Sequence, residues 1–220
     1  MNGTRALTVL VAAAGIAASV GTLAFAQPAK DGKPAAPAAG QPEMKLPPGW
    51  TTEDMQACVE AGTPGKMHER LAKAVGVWEG KGQMWMGPGG EPMKCAMSSK
   101  TTSIMDGRYT RCEITGDMPG MGPFTGLGVN GYDNVSQKFV ANWIDNQSTG
   151  IMTGTGELSA DGKTLTWTYT YNCPVTRKPT TMRQIEKFTG DNTMTLEAFG
   201  PDPKSGKEYK LMSFEFTRKP

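Results

Sequence analysis

The stretch Gly76-Val77-Trp78-Glu79-Gly80-Lys81-Gly82-Gln83-Met84-Trp85-Met86 decides the fold. Trp78, Gly80, Gly82, Met84 and Met86 fall on one face, while Val77, Glu79, Lys81, Gln83 and Trp85 fall on the other. That is a period of two with the charge confined to one side, the pattern of a strand that buries a single face. Upstream the chain reads as leader and helix. Downstream, as far as Arg218, it reads as one strand-turn-strand series.

Turn signals punctuate that series at short, even spacing: Pro88-Gly89-Gly90, Asp106-Gly107, Pro119 to Gly122, Asp133-Asn134, Asn146 to Ser148, Asp161-Gly162, Pro174 to Pro179, Gly190 to Asn192 and Pro201 to Gly206. Between them lie about ten segments of strand length. Short connections make sequence neighbours antiparallel neighbours in space, which gives a meander. No helical segment is available to cover an open face, so the meander is expected to close into an up-and-down barrel without free edges. A two-sheet sandwich is the alternative with a similar pattern.

The 220 residues suffice for one domain with accessories, and 23 basic against 21 acidic residues leave a formal charge of +2 without a polybasic block. No nucleic-acid partner is expected. Arg5 followed by the uncharged run Ala6 to Ala26, ending Ala24-Phe25-Ala26, matches a secretory signal cut after Ala26, so residues 1–26 are read as a signal peptide and the protein as exported, to the periplasm or beyond the cell. An uncleaved anchor is the other reading of that run. After cleavage no stable membrane insertion is expected. Residues 27–49, with Pro28, Pro34, Pro37, Pro42, Pro47 and Pro48 among Ala, Gly and Lys, form a tether too poor in apolar surface to order itself.

Residues 50–75 hold two short helices, and residues 76–220 the barrel. The first helix runs to about Ala61, with Thr52 expected as its N-cap and acidic residues in its first turn; the second, about Lys66 to Val75, places Met67, Leu71, Ala74 and Val75 on one face and is expected to plug one barrel end. His68 is the sole histidine. Without a second histidine it cannot build a usual zinc site, so a surface or capping role competes with haem or metal ligation, and neither cofactor nor metal is predicted. The four cysteines, Cys58, Cys95, Cys112 and Cys173, favour two disulfides in an exported chain. A turn at Asp106-Gly107 sets Cys112 opposite Thr101, about 20 Å along the strand from Cys95, which disfavours that pair.

Leu71 to Gly80 (LAKAVGVWEG), Met84-Trp85-Met86, Asp106 to Tyr109, Phe124 to Asn134 (FTGLGVNGYDN), Trp143 to Asn146, Gly150 to Met152, Asp161 to Leu165 and Tyr209 to Met212, in this order, resemble the bacterial domain-of-unknown-function family numbered fifteen seventy-nine. The resemblance runs from about Lys66 to Lys219, and the Gly-x-Trp at Gly76 and Trp78 is similar to the entry of calycin barrels, the superfamily of lipocalins and fatty-acid-binding proteins. It implies an all-β, about ten-stranded, antiparallel up-and-down calycin-like barrel with short N-terminal helices capping one end. It brings no established activity, substrate or catalytic residue. It also implies that a basic residue of the last strand stacks over the Trp of the first, here Arg218 over Trp78, a favourable pairing of guanidinium and indole. Cys173 departs from an acidic turn residue common in that family and, with Cys95 and Cys112, suggests an added disulfide.

The inward phase set by Trp78 is rich in sulfur: Met84, Met86, Met152, Met182, Met194 and Met212. Thioethers are soft and adaptable, so they suit a cavity for an apolar ligand, or they fill a solid barrel; copper(I) is a further chemical option without a ligand spacing to support it. Trp143 and Asp145 form a polar group beside an indole near a strand end, and Asp145 with Arg108 and Tyr109 at a barrel mouth is the arrangement an isomerase or cyclase would use. The reading is therefore an exported barrel whose partner is a small apolar molecule, with Met84, Met86, Arg108, Tyr109, Trp143, Asp145, Met152 and Met212 as candidate contacts. An enzyme at the mouth and a filled interaction module are its rivals.

Overall fold

The computed structural model describes residues 46–220; the expected signal segment and the tether up to residue 45 lie outside the described residues. Two helices, α1 (Thr52–Gly62) and α2 (Lys66–Ala72), precede ten strands: β1 (Gly76–Met84), β2 (Met93–Ile104), β3 (Tyr109–Met118), β4 (Gly122–Asp133), β5 (Lys138–Asp145), β6 (Met152–Leu158), β7 (Thr164–Cys173), β8 (Lys178–Gly190), β9 (Thr193–Pro201) and β10 (Glu208–Arg218). Every strand pairs antiparallel with its sequence neighbours, and β10 returns to β1, so the sheet closes on itself as an up-and-down barrel. The sandwich alternative is excluded by that last pairing.

Closure is set by the register Trp78 to Arg218, Gly80 to Phe216, Gly82 to Phe214 and Met84 to Met212. The guanidinium of Arg218 lies 4.1 Å from the Trp78 ring centre. It also donates to the carbonyls of Val75 and, at 2.7 Å, Lys73. Trp78 is fully buried, and its indole N–H donates to the Ala74 carbonyl at 2.9 Å. One pair of side chains thus joins the first strand, the last strand and the segment leaving α2. Gly76 has φ +136° and its missing side chain is the space occupied by the Arg218 guanidinium, so no other residue fits this junction without displacing that contact.

Inward aromatic rings lie flat across glycines of the neighbouring strand. A Cβ on Gly154 would sit 2.7 Å from the Tyr169 ring, one on Gly156 2.8 Å from Trp167, and one on Gly82 2.6 Å from Phe214. Trp143 covers Gly126 and Gly128 in the same way. Two apolar clusters result, one around Trp78, Phe124, Phe214 and Phe216, the other around Leu71, Phe139, Leu165 and Trp167.

The helices differ from expectation in detail. Thr51 is the N-cap of α1, exchanging hydrogen bonds with Asp54 in a capping box, and α1 buries none of its residues. Helix α2 ends at Ala72, before the expected Val75, and buries His68, Arg70 and Leu71. His68 proves to be a capping residue: Nδ1 accepts the Gly65 N–H at 3.0 Å while the ring packs edge-on against Tyr132. The expected disulfides are absent, and all four cysteines are free. The register explains this, since Cys112 faces Thr101 and Gly128 rather than a thiol, Cys95 faces Gly82, Cys58 sits on the exposed α1, and Cys173 ends β7 on the far side of the barrel.

Replacing Arg218 by Leu removes a ring contact and two charge-assisted hydrogen bonds while leaving a buried indole uncovered. Urea unfolding is expected to show a loss of about 2 to 4 kcal/mol. A loss below about 0.5 kcal/mol would mean that backbone pairing of β1 with β10 suffices for closure.

Candidate functional site: the barrel interior

Counting inward from Met182 on β8 gives Met182, Gln184, Glu186 and Phe188, because Tyr169 pairs with Met182, Trp167 with Gln184 and Leu165 with Glu186 across the β7–β8 ladder. Two polar side chains therefore enter an apolar wall. Gln184 Nε2 donates to Glu186 Oε1 at 2.8 Å. The Trp167 indole N–H lies beside the same carboxyl but makes no hydrogen bond, leaving it the buried side-chain donor without a partner. On the opposite wall Ser99, Thr101 and Thr110 are buried, and Ser99 Oγ contacts Cys112 Sγ at 3.3 Å. Polar groups thus form a belt between the two apolar clusters.

Several inward residues at mid-strand, including Ile114, Gln184, Glu186 and Leu196, are only partly shielded from a water-sized sphere. Burial holds the Glu186 carboxyl above the ordinary carboxylate range against Gln184, Trp167 and Arg70, which pull it down. Burial likewise pushes up the Tyr169 hydroxyl and the Cys112 thiol, each with Glu186 as a further cause.

Arg70 closes the helical end over this belt. Nε donates to Gly162 O at 3.0 Å and Nη2 to Lys163 O at 3.4 Å, and the guanidinium lies 4.6 Å from the Phe188 ring centre. Burial lowers its pKa and the charge of Glu186 raises it. The two groups form no ion pair; the five salt bridges among the described residues are all partly or fully exposed and none includes Glu186. At the other end the loops 85–92, 119–121, 146–151, 174–177 and 202–207 surround a mouth without a helix.

The candidate contacts read from the sequence divide. Met84, Trp143 and Met212 point inward and pack on the first apolar cluster, and Met152 packs on the second, opposite Trp143. Met86 does not point inward: β1 ends at Met84, the chain turns away toward Gly87 and Gly90, and Met86 is 65% exposed. Asp145 sits at the helix-free mouth, where Oδ2 accepts the Trp143 indole N–H at 2.9 Å and Oδ1 the Gln147 N–H at 3.0 Å. Arg108 and Tyr109 lie at the opposite, helical end, Arg108 donating to Gly62 O and Tyr109 packing outside over Gly131. The three cannot share one mouth, because Tyr109 and Ile114, whose ladder row leads to Asp145, are about 17 Å apart along β3. The enzyme arrangement expected from Asp145, Arg108 and Tyr109 is thereby corrected. Among the described residues no cluster of three or more His, Cys, Asp or Glu is placed to hold a metal.

Glu186, Gln184, Arg70 and the unpartnered Trp167 N–H were missed by the sequence reading. The signal was available: Met182 and Phe188 fix the inward phase of β8, and that phase contains Gln184 and Glu186.

A closed ten-stranded barrel with a helical cap and a polar belt inside it defines the class as calycin-like. The chain belongs to the family described as protein of unknown function (DUF1579), whose model matches residues 63–218. No curated protein matches it significantly in sequence. Among solved structures it is similar to the crystal structure of Rv2717c from M. tuberculosis, with a TM-score of 0.54 at 12% identity over 72% of this chain and 100% of that one. At that identity the likeness is one of fold.

Because burial raises the Glu186 carboxyl, the folded protein keeps that proton at pH values where the unfolded chain has released it. Stability contributed by the neutral acid is present in the ordinary carboxyl range and is lost as pH rises toward the raised value. Urea midpoints followed against pH are expected to fall in that window for the wild type relative to Glu186→Gln. Parallel curves would show that Glu186 titrates alike in both states.

Proposed function

We propose that this protein is exported and binds a small, largely apolar molecule inside its barrel, taking it up through the mouth opposite the helices. The observation that carries the reading is a closed ten-stranded wall whose inner face holds thioethers together with the polar side chains Gln184 and Glu186. Met152, Met182, Met194 and Met212 on the inner wall suit such a ligand, since thioethers adapt to irregular apolar shapes. The polar side chains Gln184 and Glu186 on the same inner face supply orientation. Trp167 and Tyr169 are buried inside the wall, so they do not form the exposed strip that carbohydrate binding would use. Export rests on the charged, apolar and A-x-A order of residues 1–26.

Nile red titrated into the purified protein is expected to brighten and saturate at one equivalent. Ala141→Phe, which adds a ring to the inward face opposite Gly154, is expected to cut that uptake by about tenfold at a stability cost of about 1 to 3 kcal/mol. Native mass spectrometry of protein taken from its own cell envelope supplies the independent check. Neither a retained molecule nor saturable dye uptake would overturn the reading.

A further inference from the structure

A cleft of about 420 Å³ opens at the helical end, between the segment that follows α2, the β6–β7 and β8–β9 turns and the end of β10. Phe188 supplies its apolar surface, and Gly162 and Gly190 bring backbone to its wall. The charged lining is lopsided. Lys73, Lys163 and Arg218 face Asp191, which leaves a surplus of two positive charges. Arg70 lies against the same Phe188 ring, but its charge is met by Glu186, so it is not counted in that surplus. Clefts lined by one sign of charge concentrate the opposite ion.

The three cations differ in what the fold asks of them. Arg218 is fixed by the Trp78 ring and by the carbonyls of Lys73 and Val75, so the contact that closes the barrel also holds a guanidinium at the cleft. Its partners are neutral and leave the charge uncancelled. Lys73 and Lys163 belong to none of the salt bridges among the described residues, so the fold does not use their ammonium groups. Asp161, two residues from Lys163, already accepts from the Ser159 hydroxyl and the Lys163 N–H. We infer that this cleft binds a small organic phosphate monoester, the phosphate lying among Lys73, Lys163 and Arg218 and the organic part against Phe188. A dianion matches the surplus of two charges, and lysines serve a phosphate as movable point charges where a guanidinium fork is already engaged. At about 420 Å³ the space falls in the range of clefts that take small organic molecules, so it admits more than the phosphate alone. The inference is independent of what the barrel interior binds.

The test titrates phenyl phosphate, inorganic phosphate and benzenesulfonate by calorimetry at low ionic strength and about pH 8, where a phosphate monoester carries close to two charges. Three proteins are compared: the wild type, the double variant Lys73→Gln with Lys163→Gln, and a control, Lys204→Gln with Lys207→Gln, which removes the same charge from the β9–β10 loop at the opposite end. Phenyl phosphate is expected to bind the wild type at one equivalent, about tenfold tighter than either other probe. The cleft variant is expected to bind it about tenfold more weakly, and the control to stay within about twofold of the wild type. Amide resonances of Gly162 and Gly190 are expected to shift on addition, while those of Gly120 and Gly206 at the mouth stay in place. No binding, a sulfonate or inorganic phosphate bound as tightly as phenyl phosphate, or an equal loss in both double variants would overturn the inference. Should the cleft variant not fold, the amide shifts of the wild type decide. None of these outcomes bears on dye uptake by the interior.

Discussion

The architecture depends on rings lying against bare backbone. A ten-stranded barrel is wide, and bulky side chains can either project into its centre or lie down along its wall. Here they lie down, because the residue beside each ring on the adjacent strand is glycine: Gly154 under Tyr169, Gly156 under Trp167, Gly126 and Gly128 under Trp143, Gly82 under Phe214. The arrangement gains aromatic contact area without occupying the axis. It also ties specificity to sequence in a strict way, since a methyl group at any of these glycines would meet a ring face or its edge at less than van der Waals distance. The many glycines after residue 76 are therefore interior surface and not merely turn residues.

That packing explains why polar groups survive inside. Rings laid on the wall split the apolar contents into two clusters, and the belt between them holds Ser99, Thr101, Thr110, Gln184 and Glu186. Burial keeps the Glu186 carboxyl above the ordinary carboxylate range, and Gln184 orients it from the neighbouring inward position.

The wall was legible in the sequence to a large degree. The alternation at Gly76 to Met84 and the turn signals led to ten strands, because a period of two is a local feature, whereas the closing contact of Arg218 with Trp78 was implied by the family resemblance. The site was legible only in part. Met84, Trp143, Met152 and Met212 follow the inward phase and lie inside, but Met86 was assigned by extending that phase two residues past the end of β1. Arg108, Tyr109 and Asp145 look like neighbours as polar residues near turns, yet successive turns of a meander alternate between the two ends. Arg183-Gln184-Ile185-Glu186-Lys187 hid the acid for the opposite reason: polar residues occupy both phases, so only the apolar anchors Met182 and Phe188 reveal which ones face in.

The helical end and the open end differ in how their backbone groups are satisfied. The last carbonyls of a helix lack intrahelical partners and carry partial negative charge. Here barrel side chains supply the partners: Asn134 Nδ2 donates to the carbonyls of Glu60, Ala61 and Thr63, Arg108 to Gly62, Arg218 to Lys73 and Val75, and Trp78 to Ala74. Arg70 fastens α2 in turn to the loop carbonyls of Gly162 and Lys163. Opening the cap would break these bonds together and leave three guanidinium groups, an amide and an indole donor without acceptors. The opposite mouth carries no such set of contacts to a covering element among the described residues, and the Trp143–Asp145 pair at its rim is internal to β5.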